Sequence, residues 1–370
     1  MTPDWTALRA TYPALRKWTY FNTATYGLLS EQTTAAVNRH FAHRDQYACA
    51  DHVHWFDDID RTREKVARLI GATAADIGFM ANAATALSLF LNGIDWRPGD
   101  QVVTLTDEFP NQIYHASLLK DVELVEVDGE RLYDVVNART RAVLMSQVNY
   151  STGYRPPIEQ IGPWLRERGV PLYLDATQAL GALTLDVAKA QPAMVSVHGY
   201  KWLLSPNGAA FFYVSPELRE RLEPRVYGWR SHEDWRNVDR LHHGAPVLIG
   251  AAERYEGGMP AFPNLYAMDE AVERFLDIGP AVIEKRVLEL SALLQSKLEA
   301  LGGVRILHRD SPITAAVFEK HPAGELAAAL HQHRIVTAAR HGALRISVQF
   351  YNNEEDVERL IHHCRMPADG

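Results

Sequence analysis

Cysteine is scarce in this sequence, which has two cysteines, Cys49 and Cys364, among its 370 residues. Such a chain has no disulfide framework of the kind that holds small secreted domains together, and we expect it to work in a reducing compartment. A surplus of basic residues is missing as well, because 46 acidic residues outnumber 38 lysines and arginines and the net charge is -8. Proteins that bind nucleic acid usually present a basic face, so we predict no nucleic-acid partner.

The patterns of membrane, nucleotide and metal binding are also absent. No apolar run is long enough to span a bilayer, and the opening segment "MTPDWTALRATYPALRKW" has no apolar signal core, so we predict a soluble cytoplasmic protein without a membrane partner. The glycine-rich fingerprints GxGxxG and GxxxxGKS/T do not occur. The histidine pairs at 242–243 and 362–363 lack the spacing of metal ligands, so we interpret them as surface residues and predict no metal site.

Short apolar runs begin to alternate with helical patterns near residue 76. The runs are "DIGFMAN", "QVVTLTDEF", "AVLMSQVN", "VPLYLDAT", "MVSVH" and "GAAFFYVS", and segments with helical spacing such as "AATALSLFLNGI" separate them. Strands that are apolar almost throughout, with helices between them, are typical of a mostly parallel sheet covered on both faces. We therefore predict an α/β fold, with roughly two domains for a chain of this length.

The pattern changes after about residue 250. A long helical segment at 279–303 is followed by short strands, a second helical segment, another strand pair and a final helical segment at 353–364. This order is typical of an α+β unit. We predict a large α/β domain over 16–250 and a small α+β domain over 251–370, to which residues 1–15 also belong.

One lysine has an unusual setting. In "HGYKWLLSPNG", Lys201 lies between Tyr200 and Trp202, just after a predicted strand. Apolar flanks remove water from an ammonium group, lower its pKa and favour the neutral amine that attacks carbonyls. The alternative is a lysine whose stem covers an apolar surface while its amine reaches water. Ligands of α/β proteins bind at the carboxyl ends of the strands. The residues in the neighbouring loops therefore decide between these two interpretations of Lys201.

Those loops carry the parts of a pyridoxal phosphate (PLP) site. Asp175 ends the strand "PLYLD", where its carboxylate could keep a pyridine nitrogen protonated, and Gln178 follows three residues later. Residues 82–85, "NAAT", open a helix with small side chains, so backbone N–H groups can approach a phosphate. Phe109 could lie on the ring face. Taken singly, the acid could be a helix cap, "NAAT" an ordinary helix start and the phenylalanine a core residue. Their joint order on successive strand ends favours a PLP site.

Seven short segments follow one another in this order over nearly the whole chain: "YFNTATYGL", "EFP", "YSTG", "DATQALGA", "HGYKW", "PNGAAF" and "LRISVQFYN". In this order they resemble the fold-type I PLP enzymes of the aminotransferase class V family, such as cysteine desulfurases, kynureninases, isopenicillin N epimerase-like proteins and ergothioneine-type C–S lyases. The resemblance implies a large mostly parallel α/β domain, a smaller α+β C-terminal domain and PLP as the cofactor. It also implies an α-amino acid or a derivative as the substrate, and a homodimer with active sites at the subunit interface.

Position by position, the resemblance assigns the cofactor contacts. Lys201 corresponds to the Schiff-base lysine, Asp175 to the partner of the pyridinium nitrogen and Gln178 to the ligand of the phenolic oxygen. His198 and Tyr200, three residues and one residue before the lysine, stand where the family places phosphate ligands. Lys201 and Asp175 are the predicted catalytic residues.

The predicted phosphate cradle departs from the family pattern. Ala83 and Ala84 lie in the phosphate loop, and Ala84 stands where a hydroxyl residue is common, so Thr85 is the expected side-chain contact. The segment "YEGGMPAFPNLYAM" resembles the loop that reaches the phosphate of the partner subunit, with Met259 where threonine is frequent. The backbone N–H groups of Gly257 and Gly258 remain as the expected contact there.

Arg345, in "ALRISVQFYN", matches the arginine with which the family binds the α-carboxylate of its substrate. A planar guanidinium suits this role because it can donate two parallel hydrogen bonds to a carboxylate. The alternative is a surface ion pair, and Arg340 is a second candidate for the same role. The other predicted substrate-binding residues are Asn22, Thr23 and Tyr26 in the N-terminal segment, and Asn149 and Tyr150 beside the cofactor.

The reaction follows from a missing cysteine. Cysteine desulfurases carry a nucleophilic cysteine on a loop just before this arginine, and here the loop reads "VTAARHGA", while Cys49 and Cys364 lie elsewhere. We therefore predict chemistry by Lys201 alone, in first place C–S bond-cleaving β-elimination of an S-substituted cysteine, as in ergothioneine-type or other secondary-metabolite pathways. The alternatives are a class V aminotransferase, an amino-acid epimerase and a non-catalytic PLP-fold binding protein. The last is disfavoured because Lys201, Asp175 and Gln178 are all present.

Overall fold

The structure is a computed structural model, and it describes residues 3–365. The helices are α1 (Trp5–Ala10), α2 (Glu31–Tyr47), α3 (His54–Ile70), α4 (Ala83–Asn92), α5 (Pro110–Ser117), α6 (Leu132–Val135), α7 (Ile158–Glu167), α8 (Val187–Ala190), α9 (Pro216–Arg219), α10 (Phe262–Ile278), α11 (Pro280–Glu299), α12 (Ala323–Gln332) and α13 (Glu354–Arg365). The strands are β1 (Thr19–Tyr20), β2 (Ile77–Met80), β3 (Gln101–Leu105), β4 (Glu123–Val127), β5 (Thr140–Ser146), β6 (Leu172–Asp175), β7 (Met194–His198), β8 (Ala210–Val214), β9 (Val304–Ile306), β10 (Ile313–Phe318), β11 (Ile335–Val336), β12 (Ala338–Arg340) and β13 (Ala343–Ser347).

The largest sheet has the strand order β2-β8-β7-β6-β5-β3-β4. Strand β3 pairs parallel with β4 and β5, and β6 pairs parallel with β5 and β7. Strand β8 runs antiparallel to both of its neighbours, β7 and β2. The prediction of an α/β fold with a mostly parallel sheet is therefore confirmed.

Both faces of this sheet are buried. Along β5, Val143 and Met145 belong to one apolar cluster, whereas Ala142 and Leu144 belong to another. Because successive side chains of a strand point to opposite faces, the two clusters are the layers on either side of the sheet. This explains why the strands read as continuous apolar runs in the sequence.

Strand β4 was not anticipated from the sequence. Its residues read "ELVEV", and the two glutamates interrupt the apolar run. The strand lies at the edge of the sheet, where most of its side chains are exposed or half-buried. An edge strand needs no continuous apolar run, because one side of it faces water.

The C-terminal part of the chain has its own antiparallel sheet, in the order β12-β13-β10-β9. A third apolar cluster lies here, with side chains from α11, α12, α13 and this sheet. The short strand β1 pairs parallel with β11, so the N-terminal segment is joined to this part of the fold.

The two predicted domains are in close contact. Helix α10 packs against α2 and α3, which precede the large sheet in the chain. Within the predicted small domain, Arg9 near the N-terminus forms an ion pair of 2.7 Å with Asp356 on α13. The domain limits at 16–250 and 251–370, with 1–15 in the small domain, stay a prediction.

No helix within residues 3–365 combines the length and the apolar character needed to cross a bilayer. In the same part of the chain, no group of three or more His, Cys, Asp and Glu side chains is arranged to hold a metal ion.

Residues 226–259, which we call the 226–259 segment, are anchored by a buried ion cluster. The carboxylate of Glu256 accepts hydrogen bonds from Arg63 of α3 at 2.6 Å, from Arg230 at 3.1 Å and from the backbone N–H of Phe79 at 2.9 Å. Burial alone would raise the pKa of Glu256, but the two guanidiniums hold that pKa below its ordinary value. The end of this segment is therefore tied to the large sheet, close to Gly258.

Candidate active site

Side chains from neighbouring strands meet at the carboxyl edge of the large sheet. Asp175 ends β6, and its register partners are Ser146 in β5 and Ser196 in β7. Strand β7 ends at His198, and Lys201 follows in the turn after it. The parallel register thus brings the acid and the lysine to one place.

A cavity opens at this edge. It is lined by Asn82, Ala83, Ala84, Phe109, Asn111, Ser146, Tyr150, Asp175, Thr177, Gln178, His198, Tyr200 and Lys201. Most of the residues predicted to contact the cofactor are in this set. The loops that the sequence placed at successive strand ends therefore form one site.

Lys201 is buried, with 8% of its surface exposed. Burial lowers the pKa of its amine, Asp175 raises it, and Arg345 and Arg340 lower it again, to a value of about 8. No carboxylate within residues 3–365 lies within 4.0 Å of this amine to form an ion pair with it. About a tenth of the amine is therefore neutral at pH 7, far more than for an ordinary lysine, and the neutral amine is the form that attacks a carbonyl.

Asp175 is held by the turn that follows β6. Its Oδ1 accepts a hydrogen bond of 2.9 Å from the backbone N–H of Thr177, whose hydroxyl in turn accepts one of 3.1 Å from the backbone N–H of His198. Burial raises the pKa of Asp175, while the bonds from Thr177 and the charge of Lys201 lower it. A cationic ring nitrogen beside this carboxylate would lower the pKa further by charge attraction.

Gln178 is fixed from two sides. Its Oε1 accepts a hydrogen bond from the indole N–H of Trp202 at 2.9 Å, and its Nε2 donates one to the carbonyl of Ala24 at 2.9 Å. An amide Nε2 has two hydrogens, so one remains for a ligand in the cavity.

His198 has a buried Nε2 without a hydrogen-bond partner within the described residues. Its ring packs edge-on against Tyr200, with 4.3 Å between the ring centres. Burial, and to a lesser extent the charge of Lys201, lowers the pKa of His198 to about 4, so the ring is neutral at neutral pH. A buried polar atom without a partner is costly, and a ligand that bonded to it would remove that cost.

The N-terminal segment closes over the lysine. The backbone N–H of Gly27 donates a hydrogen bond of 2.8 Å to the carbonyl of Tyr200. A Cβ atom at Gly27 would lie 2.0 Å from the carbonyl oxygen of Lys201, so only glycine fits here. Tyr26 packs on Tyr200 at 4.8 Å, and its hydroxyl accepts a hydrogen bond from Asn207.

Helix α4 presents its N-terminus to the cavity. Asn82 caps the helix, because its Oδ1 accepts from the backbone N–H of Thr85 at 3.0 Å. The side chains of Ala83 and Ala84 are small, so the first N–H groups of the helix are accessible to an anion. The hydroxyl of Thr85 also donates to Asn82, at 3.2 Å, and this side chain does not line the cavity.

Aromatic side chains form one wall. The Phe109 ring centre is 5.5 Å from the Lys201 amine, and the ring packs edge-on against Tyr150 at 5.3 Å. The Tyr150 hydroxyl is 2.8 Å from Nε2 of His341, in the turn between β12 and β13. The wall therefore connects the cofactor side of the cavity to the small domain.

Arg345 reaches this wall from β13 and is almost fully buried. Its Nη1 donates to the carbonyl of Tyr150 at 2.7 Å, and its Nη2 donates to Asn22 at 3.3 Å and to the hydroxyl of Thr25. Its Nε is buried without a partner within residues 3–365. Burial and the charge of Arg340 lower the pKa of Arg345 to about 10, so the guanidinium remains charged at neutral pH.

Of the seven predicted substrate-binding residues, only Tyr150 lines this cavity. The predicted residues that do not line it, besides Thr85, are Asn22, Thr23, Tyr26, Asn149, Arg340, Arg345 and Gly258. The Thr23 hydroxyl is bonded to the hydroxyl of Tyr351 at 2.8 Å, and the Asn149 amide organises its own turn by accepting from Ser151 and Thr152. Gly258 belongs to the 226–259 segment, where its carbonyl accepts from Arg230. Thr23 and Asn149 thus use their polar atoms for bonds within the protein, and their predicted contacts with the substrate stay predictions.

Structure adds residues that the sequence did not single out. Glu108 is buried behind the cavity, and its carboxyl accepts from the N–H and the hydroxyl of Ser146 at 2.6 and 2.5 Å. Burial raises the pKa of Glu108 to about 7, against hydrogen bonds from Ser146 that lower it. Thr25, Asn82 and Asn111 are the other additions. The segment "EFP" pointed to this loop, but only the strand register shows that Ser146 faces Asp175.

The fold and this site define a PLP-dependent enzyme of fold type I. The model of the family described as "Aminotransferase class-V" matches residues 28–360. The chain belongs to the aminotransferase class V family.

Two relatives are informative. An uncharacterised protein of Schizosaccharomyces pombe is 27% identical over 335 residues, which cover 84% of this chain and 75% of that protein. Isopenicillin N epimerase of Streptomyces clavuligerus is 26% identical over 328 residues, which cover 81% of this chain and 82% of that protein. Among solved structures, the complex of the cystine C–S lyase C-DES with cysteine persulfide has a TM-score of 0.88 at 20% identity, covering 96% of this chain and 99% of that one.

The residues present fit PLP. The orphaned Nε2 of His198, the accessible N-terminus of α4, the free N–H of Gln178 and the buried amine of Lys201 surround one cavity with Asp175 in its wall. These groups match an anionic phosphate, a phenolic oxygen, an aldehyde and a ring nitrogen.

We expect the lowered pKa of Lys201 to govern how the apo-protein captures PLP. The neutral amine is the reacting form and predominates above the pKa, so the capture rate should rise with pH, with a midpoint near pH 8, and level off above it. The rate is measured by stopped-flow absorbance of PLP. The same titration with Nα-acetyllysine, whose ordinary pKa is 10.5, corrects for the ionisation of PLP itself.

Two variants complete this experiment. Lys201→Ala should lose the capture phase. Asp175→Asn should shift the midpoint to lower pH, because the charge of Asp175 raises the pKa of Lys201. A corrected midpoint near pH 10 in the unmodified protein would show that burial does not activate this amine.

Proposed function

We propose that this enzyme cleaves the C–S bond of an S-substituted cysteine by β-elimination. The observation that carries the proposal is the connection between β12 and β13, at the position where the resemblance to desulfurases places a cysteine-bearing loop. Here a two-residue turn, His341-Gly342, joins paired residues Arg340 and Ala343. Both turn residues have positive φ, 47° and 79°, as tight hairpin turns require.

The two cysteines of the chain support this reading. Cys364 is buried on α13, and burial raises the pKa of its thiol to about 12, so it stays a thiol. Cys49 follows α2 and packs against the core of the large domain. Neither residue lines the cavity around Lys201. Cleavage of sulfur from the substrate must then proceed without a protein thiolate as acceptor.

The cofactor contacts follow from the cavity. Lys201 would hold the PLP aldehyde, the carboxylate of Asp175 would keep the ring nitrogen protonated, and Gln178 would donate to the phenolic oxygen. When bound, PLP supplies an electron sink for the electron pair left on the substrate Cα. The N–H groups at Ala83 and Ala84 would hold the phosphate together with the side chains of His198 and Tyr200, and Phe109 would cover the ring.

Lys201 is also the base of the reaction. Its neutral amine lies beside the bound cofactor and takes the proton from the substrate Cα. The Cβ–S bond then breaks, its electron pair goes to sulfur, and the sulfur leaves as a thiol after taking up a proton. The three-carbon product, 2-aminoacrylate, reacts with water to give pyruvate and ammonia.

Arg345 orients the substrate through its α-carboxylate. Its guanidinium is held by Tyr150, Asn22 and Thr25, which leaves the buried Nε–H to donate to a carboxylate oxygen. A fixed α-carboxylate positions the Cα–H bond relative to Lys201, which is what proton transfer requires.

The proposal is tested with S-propyl-L-cysteine. We expect stoichiometric thiol, ammonia and pyruvate over many turnovers without any added keto acid, because elimination returns the cofactor unchanged. The products are measured with a thiol reagent and with lactate dehydrogenase. An aminotransferase would instead stop after one turnover per subunit until a keto acid is added, and an epimerase would give the D-isomer. Either outcome would overturn the lyase proposal.

The role of Arg345 is tested by substitution. Arg345→Ala should weaken substrate binding by about 2–5 kcal/mol, as when one partner of a buried charged pair is removed. Arg345→Lys should rescue poorly, because a single ammonium cannot replace both the bonds to Tyr150, Asn22 and Thr25 and the Nε–H donor. Affinity is measured by absorbance titration of the holoenzyme. The decarboxylated amine analogue is the control, because it should bind both proteins equally. Equal weakening of the acid and the amine would count against a carboxylate contact.

We also propose that the enzyme is a homodimer in which the 226–259 segment contacts the partner. This segment exposes apolar side chains, among them Val226, Tyr227, Val247 and Met259, each of which is more than half exposed. Its Gly258 lies away from the Lys201 cavity of its own chain, as a residue that serves the partner's phosphate would.

Sedimentation equilibrium tests this assembly. We expect a mass of twice 41.6 kDa for the unmodified protein. Val226→Glu should weaken the dimer, because it places a charge in an apolar interface. Val282→Glu on α11 is the matched control at another exposed valine, and it should leave the dimer intact. A monomeric unmodified protein would exclude the proposal.

A further inference from the structure

A second guanidinium lies near the active site. Arg340 ends β12 and directly precedes the two-residue turn at the cavity rim. Its charge lowers the pKa of the Lys201 amine and that of Arg345 as well. In the register of β12 with β13, Ala338 is opposite Arg345, so Arg340, two residues further along β12, lies on the same face of the sheet and diagonal to Arg345.

This charge is not neutralised by the protein. Within residues 3–365, no carboxylate lies within 4.0 Å of the half-buried Arg340 or of the buried Arg345, whereas the two other buried arginines, Arg63 and Arg230, each pair with a carboxylate. The hydrogen bond that Arg340 makes runs from its Nη1 to the carbonyl of Ala339, at 2.7 Å. Most of its five N–H donors are therefore free to bind a ligand.

The rim that carries Arg340 is rigid. The turn contains a single non-glycine residue, His341, which adopts a left-handed φ of 47°. Its ring is held by the Tyr150 hydroxyl at 2.8 Å, and Tyr150 packs on Phe109 in the cavity wall. Left-handed backbone at a bulky residue costs free energy and is kept where the surrounding contacts fix it. These contacts tie the turn that follows Arg340 to the cavity wall.

We propose that Arg340 forms a second anion subsite and that the substrate is an S-substituted cysteine whose sulfur substituent ends in a carboxylate. The inference rests on the proposed function. Arg345 binds the α-carboxylate, and Arg340, from the turn, binds the carboxylate at the far end of the side chain. His341 is the next residue along the chain. Its Nε2 is bonded to the Tyr150 hydroxyl, so Nδ1 is the ring nitrogen that it offers to the same carboxylate.

A dicarboxylic substrate explains why two guanidiniums lack an acidic partner at one site. Burial first, and then the charge of Arg340, lower the pKa of Arg345, and a carboxylate bound by each guanidinium would offset the repulsion between them. The carboxylate of the leaving group would also select among thioethers, because a neutral substituent leaves the donors of Arg340 without a partner.

The test uses two substrates of nearly equal shape, S-(2-carboxyethyl)-L-cysteine and its amide, S-(2-carbamoylethyl)-L-cysteine. Thiol release gives kcat/KM for each with the unmodified holoenzyme and with Arg340→Gln. We expect Arg340→Gln to lower kcat/KM about 10- to 100-fold for the acid, the range for a hydrogen bond between charged groups, and by less than about threefold for the amide. Arg305→Gln, an exposed arginine on β9 of the same sheet, is the matched control and should change neither value.

Two outcomes would overturn the proposal. Loss of equal size for the acid and the amide would make Arg340 a partner of the α-carboxylate, and no loss for either would remove it from the site. Failure of the proposed function is recognised separately, since neither substrate would then release thiol. In that case absorbance titration of the holoenzyme decides: the acid should still bind at least about tenfold more tightly than the amide, and Arg340→Gln should abolish that difference.

Discussion

The amine of Lys201 lies where burial and two guanidiniums disfavour its charge and Asp175 favours it. Together these effects lower the pKa of the amine to about 8, so part of it is neutral near physiological pH. The other parts of the site maintain this environment. Hydrogen bonds position the acid on one side, and the N-terminal segment covers the lysine backbone at Gly27. If the amine were solvated, the same side chains would surround an ordinary ammonium group that neither attacks a carbonyl nor accepts a proton from carbon.

Positive charge is distributed unevenly around the cavity. On the cofactor side, the helix N-terminus and the neutral His198 suit a phosphate, whereas on the substrate side Arg345 and Arg340 both lack an acidic partner within the described residues. The two regions differ in kind: backbone dipoles and a neutral ring suit a permanently bound group, and guanidiniums suit a carboxylate that must enter and leave. This division is consistent with a resident cofactor and an exchanging amino acid.

Three distant parts of the chain build the substrate side. The N-terminal segment contributes Asn22 and Thr25, the loop after β5 contributes Tyr150, and β13 contributes Arg345 together with the β12–β13 turn. The pairing of β1 with β11 keeps the first and last of these parts together.

The sequence by itself determined the α/β class, the site lysine and the acid, because continuous apolar strands and the residues that end them are local patterns. It also placed the helix start at "NAAT" and the arginine on its strand. Only the tertiary structure decided which polar atoms remain free: Thr23 and Asn149 are bonded within the protein, whereas the Nε2 of His198 and the Nε of Arg345 are not. Strand β4 and the pair of Glu108 with Ser146 also escaped the sequence. Hydrogen-bond partners, register and burial depend on residues far apart in the chain, and no local pattern records them.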